Sequence, residues 1–135
     1  MSNEFRGTGN IAVAPTLKTV SVAGEGRKVA ELRVFFDDYK ATATGGIEQS
    51  GGFWLDVSVW GDTLAESVSQ HLKKGARVHV TGRLSESRWN AQDGGEERRA
   101  MQLNADNVFL SLARIEDVRF RAKRDARHQM RRENQ

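Results

Sequence analysis

The side chains of this chain best suited to chemistry are three tryptophans and a tyrosine set among polar and charged neighbours. In Gly51 to Gly61, GGFWLDVSVWG, Trp54 and Trp60 share strand parity with Asp56 and Ser58. An extended segment there puts its two largest rings on its polar side. Tyr39 closes VAELRVFFDDY on the side of Glu31, Arg33 and Asp37, and Trp89 sits among Ser87, Arg88, Asn90 and Gln92. Leaving such a ring in water forgoes about 1.5–3 kcal/mol of burial. A flat π-system laid on it recovers energy, and nucleic-acid bases stack on aromatics for about 1–3 kcal/mol each, whatever the sequence. Arg33, Lys74, Arg77, Arg83 and Arg88, together with Lys73, Arg98 and Arg99, could then meet phosphates. A plainer arrangement uses the same residues: rings hidden in a subunit interface or folded onto the body, and each cation simply solvated.

Other chemistries find little to work with. His71, His79 and His128 fall on separate segments and the chain has no cysteine, so no metal-ligand spacing exists. The sequence displays no Ser-His-Asp or paired-carboxylate arrangement. Its glycine pairs at 45, 51 and 94 do not open a helix with a Lys-Ser/Thr ending, so they read as turns and not phosphate cradles. The expectation is a binding protein with no catalytic residues, no cofactor and no metal.

The elements that must position these rings follow from periodicity. At 135 residues the chain suits one domain with a modest core and a tail. NIAVAPTLKTVSV, from Asn10, reads as a strand broken at Pro15, and Val29 to Tyr39 as a second strand with Ala30, Leu32, Val34 and Phe36 inward. KATATGGIEQSGG, residues 40 to 52, reads as a long hairpin loop. The third strand turns Phe53, Leu55, Val57 and Val59 to the core. The period then changes: Leu64, Val68 and Leu72 recur every fourth residue, Thr63 and Glu66 have capping-box spacing, and Lys73-Lys74-Gly75 closes a helix of about three turns. Val78, Val80 and Leu84 alternate in a fourth strand, Asp93-Gly94-Gly95 signals a hairpin turn, and Met101, Leu103 and residues 108 to 112 form a fifth strand. Five strands with one helix between the third and fourth are the order of an OB-fold, an all-β barrel whose face and loops bind oligonucleotides or oligosaccharides.

Charge divides the chain unevenly. Residues 1–118 carry 14 Lys and Arg against 16 Asp and Glu, a net −2, and residues 119–135 carry 7 against 2, a net +5, which together give the overall +3. The expected division is therefore a barrel domain over 1–112 and a basic tail over 113–135, where Ile115, Val118, Ala122, Ala126 and Met130 fit either a basic helix with a thin apolar stripe or disorder. No apolar run approaches the roughly 20 residues of a membrane span, and the opening residues lack the order of a secretory signal, so a cytoplasmic location without membrane contact is expected.

Residues 53 to 85 resemble the bacterial single-stranded DNA-binding protein family almost step by step. FWLDVSVWG is similar to its third strand, LAESVSQHLKKGARVHVTGRL to its helix and next strand, and SRWNAQDGGEERRAMQLNADNVFL to its last hairpin and strand. The resemblance implies an OB barrel, commonly tetrameric, in which Trp54, Trp60 and Trp89 occupy stacking positions and Tyr39 that of a fourth aromatic. It implies single-stranded DNA, or RNA, as partner and a homo-oligomer, dimer or tetramer, active in replication, recombination or repair of a chromosome or mobile element. The chain departs from the family where Leu55 and Asp56 replace a His-basic pair, where Asp62, Ser85 and Ser87 replace basic residues, and where a basic end stands in place of an acidic tip. Recruitment of partners through such a tip is accordingly not expected. The competing expectation is an OB-type interaction module or primosome-type adaptor in which nucleic-acid binding is secondary.

Overall fold

The computed structural model describes residues 3–91 and 94–123. Its elements are β1 (Asn3–Val22), β2 (Glu25–Ala41), β3 (Ile47–Trp60), α1 (Asp62–His71), β4 (Arg77–Asn90) and β5 (Glu97–Leu110), followed by a 3-10 turn at Leu112–Arg114. The strands close a barrel in the order β1-β2-β3-β5-β4, with β1 completing the ring against β4. Every neighbouring pair is antiparallel except β3 and β5, which run parallel. This is the all-β OB barrel expected from the order of the elements, with α1 between β3 and β4. No helix among the described residues is long and apolar enough to cross a membrane.

The alternating residues fill the barrel. Leu32, Val34, Val57, Val59, Val78, Val80 and Leu103 form one buried cluster with Ile11, and α1 adds Ala65 and Val68 to it. β1 serves two partners, pairing β4 through Asn3–Asn10 and β2 through Gly9–Val22. Register shifts between Ile11 and Val13 and between Val13 and Thr16 bend it around the corner, and Pro15 lies in the second shift, where no ladder donor is required. Phe53 departs from expectation. It is 44% exposed, and its ring packs on Phe36 at 5.8 Å and Phe5 at 6.1 Å at the rim of the core.

At Gly82 the β4 backbone lies close against β5. A Cβ there would stand 2.3 Å from the Asn104 carbonyl oxygen and 2.8 Å from the Ala105 Cα, both backbone atoms. The register shift between Thr81 and Gly82 falls at the same point. Gly82→Ala should therefore destabilise the barrel by about 1–3 kcal/mol through overpacking, read as a lower urea midpoint with the m-value unchanged.

The helix has about the three turns expected but stops short of Lys73-Lys74-Gly75. It ends at His71, and Leu72 turns to an extended conformation that leaves its side chain packed against the core. The expected capping box does not form: the N-cap is Gly61, with no side-chain cap. Two helix carboxylates serve β2 instead, Asp62 of the first turn accepting from the Lys28 backbone N–H at 3.0 Å and Glu66, one turn on, pairing with the Lys28 ammonium. That ties the start of α1 to the sheet.

The loop expected over 40–52 is largely strand, and the long hairpin expected after β4 is present. Residues 47 to 52 continue β3 and residues 40 and 41 continue β2, leaving 42–46 as the tip. The β4–β5 pairing likewise runs out to Asn90 and Glu97. Beyond the β1 pairing, which stops at Gly9–Phe36, and beyond the β3–β5 ladder, which stops at Asp56–Gln102, each hairpin stands away from the barrel as a two-stranded ribbon. Both faces of a ribbon meet water, so backbone hydrogen bonds hold the strands while nothing imposes alternation on the side chains. Residues 115–123 follow the 3-10 turn without helix, so Ile115, Val118 and Ala122 form no helical stripe. Ala126, Met130 and Asp93 lie outside the described residues.

Candidate nucleic-acid interface

The outer surface of the barrel can be followed strand by strand from the register. Arg77 of β4 pairs with Asn10 of β1, Asn10 with Phe35 of β2, and Phe35 with Trp54 of β3, placing all four on one row. The next row joins Val13, Arg33, Asp56, Gln102 and Ser85, and a third joins Thr16, Glu31, Ser58, Asn104 and Arg83. The rings lie on the first row, and mostly charged and polar side chains fill the next two, with Ser58 buried among them.

Trp54 is the best-developed position. Its ring is 52% exposed, rests on Phe35 with centroids 4.8 Å apart, and carries the Arg33 guanidinium 5.4 Å from its centroid. Phe35 and Arg33 restrain the indole and leave half of it open. Phe35 escaped the sequence reading, although it shares the odd parity of Arg33 and Asp37 and that parity marks it as outward.

Trp60 closes the other end of β3. It is 41% exposed and lies beside Val29, which is outward in register yet fully buried apart from the main cluster. The nearby cations are engaged, Lys18 with Glu31 at 2.8 Å and Lys28 with Glu66. Trp89, 49% exposed, stands on the β4–β5 ribbon opposite Arg98. Four residues and one strand separate it from Gln102 on the same face, about 13 Å along the ribbon. Arg88 points to the other face, where Arg88 and Arg99 share Glu86 and Glu97 at 2.7–3.9 Å. Of the cations beside Trp89, Arg98 is thus the one with no ion-pair partner among the described residues.

Tyr39, Asp37 and Arg77 form a compact group next to Phe35. Arg77 donates from Nη1 to both Asp37 carboxylate oxygens at 3.1 and 3.2 Å and to Asn10 Oδ1 at 3.3 Å, and its guanidinium lies 6.0 Å from the centre of the Tyr39 ring. The Asp37 side chain is only 2% exposed. Burial alone would push its carboxyl up, but hydrogen bonds from Tyr39 and Arg77 outweigh this and hold it below the usual carboxylate value. The same hydrogen bond to Asp37, with burial second, raises the Tyr39 phenol. Arg77 is therefore committed to a protein partner.

The remaining candidates lie apart from this cluster. Arg83 sits on the β1–β4 side with Asp106 at 4.0 Å, in a depression lined also by Glu4 and Arg6. Lys74 is exposed in the turn between α1 and β4. Trp54, Arg33, Phe35 and the Tyr39–Arg77 group are thus brought together, Trp60 and Trp89 flank them, and Arg83, Arg88 and Lys74 are peripheral.

Comparison with known proteins gives the chain a family and its fold close neighbours. Residues 3–111 match the model of the single-strand binding protein family. Among curated relatives, the chain is 33% identical over 105 residues to a single-stranded DNA-binding protein of Bifidobacterium longum and 34% identical over 105 residues to one of Corynebacterium glutamicum. Each alignment covers 77% of this chain but 46% and 44% of the relative, so the chain spans about half their length. Among solved structures, the small single-stranded DNA-binding protein of Streptomyces coelicolor superposes with a TM-score of 0.69 at 20% identity, covering 84% of this chain and 98% of that one. The Plasmodium falciparum SSB complex with ssDNA superposes with a TM-score of 0.64 at 17% identity, covering 82% and 96%. These two likenesses are of fold. With the family match spanning all five strands, the chain belongs to the single-strand binding protein family.

Proposed function

We propose that this chain binds single-stranded DNA, stacking bases on Trp54, Trp60 and Trp89 while Arg33 and Arg98 meet phosphates, and so covers exposed strands during replication, recombination or repair. The observation that carries this reading is Trp54, half-exposed, packed on Phe35 with Arg33 beside it, on a row that runs through Phe35 and Asn10 to Arg77. It is the reading of a binding protein acting as a homo-oligomer in the cytoplasm, without a catalytic step. The division into a barrel over 1–112 and a tail beyond is supported by the family match, which stops at residue 111. Labelled oligothymidylate should raise its fluorescence anisotropy with the protein at low salt, and a duplex of equal length should not compete. No binding at low salt would overturn the reading and leave the aromatic face to a protein partner.

The charge split gives a separate expectation. Because the body is net −2 and residues 119–135 net +5, the tail supplies much of the salt dependence. A chain ended after Val118 should show a flatter plot of log affinity against log salt, by about 0.7 for each phosphate that the tail neutralises in the full chain. An unchanged slope would remove the tail from the DNA.

A further inference from the structure

Between Trp54 and Trp60 the stacking face holds a carboxylate that phosphate binding does not require. Asp56 sits at the middle of a shallow depression lined by Thr16, Glu31, Arg33, Ser58 and Gln102. Most of these groups are already engaged. Glu31 is held by Lys18 at 2.8 Å, Gln102 donates from Nε2 to Ser58 Oγ, and Arg33 reaches over the Trp54 ring. Asp56 makes no ion pair or hydrogen bond among the described residues, and the bond to Ser58 leaves the Gln102 carbonyl oxygen as a further acceptor beside it. The depression therefore offers acceptors, and it begins two residues, about 7 Å, from Trp54 along the same face of β3.

That spacing suits a nucleobase. Stacking on an indole is indifferent to base identity, whereas an acceptor at the edge of the stacked ring is not. Cytosine and adenine present an exocyclic amino donor and guanine presents two adjacent donors, while thymine presents oxygens flanking a single N–H. A carboxylate accepts from the first three and meets the oxygens of the last unfavourably. We propose that Asp56 reads the edge of the base stacked on Trp54, making this binding face prefer bases with an exocyclic amino group over thymine. The proposal rests on the single-strand reading above and adds base selectivity to it.

The test compares oligodeoxycytidylate with oligothymidylate of equal length, at mildly alkaline pH, for the full chain and for Asp56→Asn. Asparagine keeps the size but adds an amino donor suited to thymine O4. The ratio of affinities, cytidylate over thymidylate, should fall by about three- to tenfold in the variant, the worth of one hydrogen bond. An equal gain for both oligomers would mean that Asp56 only repels phosphate, and unchanged affinity for both that it does neither. Either result overturns the proposal while leaving single-strand binding in place. Failure of the unaltered chain to bind either oligomer is a different result, and it would overturn the underlying reading as well.

Discussion

With Trp54 and Trp89 both replaced by alanine, affinity for oligothymidylate should fall at least about thirtyfold, since each stacked base contributes about 1–3 kcal/mol. Trp54 lies on the barrel and Trp89 on the β4–β5 ribbon, so they share no packing partner. Their single effects should accordingly add to within about 0.5 kcal/mol. Trp54→Ala should cost more than Trp89→Ala, because the Trp54 indole is held by Phe35 and Arg33 and loses less freedom when a base lands on it. Trp54→Phe, which keeps a ring in that place, should restore most of the binding. Isothermal titration of the parent and these variants measures all of this. If Trp89→Ala alone proves silent, the ribbon lies outside the path of the strand.

Arg77→Ala should lower the stability of the fold by about 3 kcal/mol, because it leaves the Asp37 carboxylate buried without its cation. The lower end of the range for buried pairs applies, as the Arg77 side chain keeps 21% of its exposure. The acid dependence follows from the direction of the Asp37 shift. Its folded carboxyl titrates below the ordinary value of about 3.9, so the stability it contributes is complete above that pH and is lost as pH falls through the folded value. The gap between the parent and Arg77→Ala should therefore narrow in acid and persist at neutral pH. Chemical denaturation across the acid range measures it. A gap that widens in acid would mean that Arg77 stabilises the barrel by some route other than Asp37.

The alternation of β2, β3 and β4 was readable because one face of each strand packs on a core, and Val34, Val57, Val59, Val78 and Val80 are buried as their parity requires. The outward pair Trp54 and Trp60 was legible for the same reason, whereas Tyr39 lies past a register shift on the ribbon, where parity carries no such information. What parity cannot show is which residues meet across strands. Arg77 and Asp37 are 40 positions apart and touch only because Asn10 lies between β4 and β2 in the closed barrel. The strand extension through residues 47–52 was invisible because both faces of that ribbon are wet. Thr63 and Glu66 had the spacing of a cap, yet Lys28 of β2 took Glu66, a tertiary contact overriding a local one. Asp56, unexplained in the sequence, acquires neighbours in the fold, since Arg33 and Gln102 flank it in register.

The central claim is that bases stack on the tryptophans of this face. Three variants that each keep one tryptophan, with the other two changed to phenylalanine, would report on each ring separately during titration with oligothymidylate. Saturation would be judged independently by anisotropy of the labelled oligomer. The account predicts strong quenching of Trp54, with Trp60 and Trp89 quenched in parallel and to the same end point. Full binding by anisotropy with Trp54 emission unchanged would contradict it.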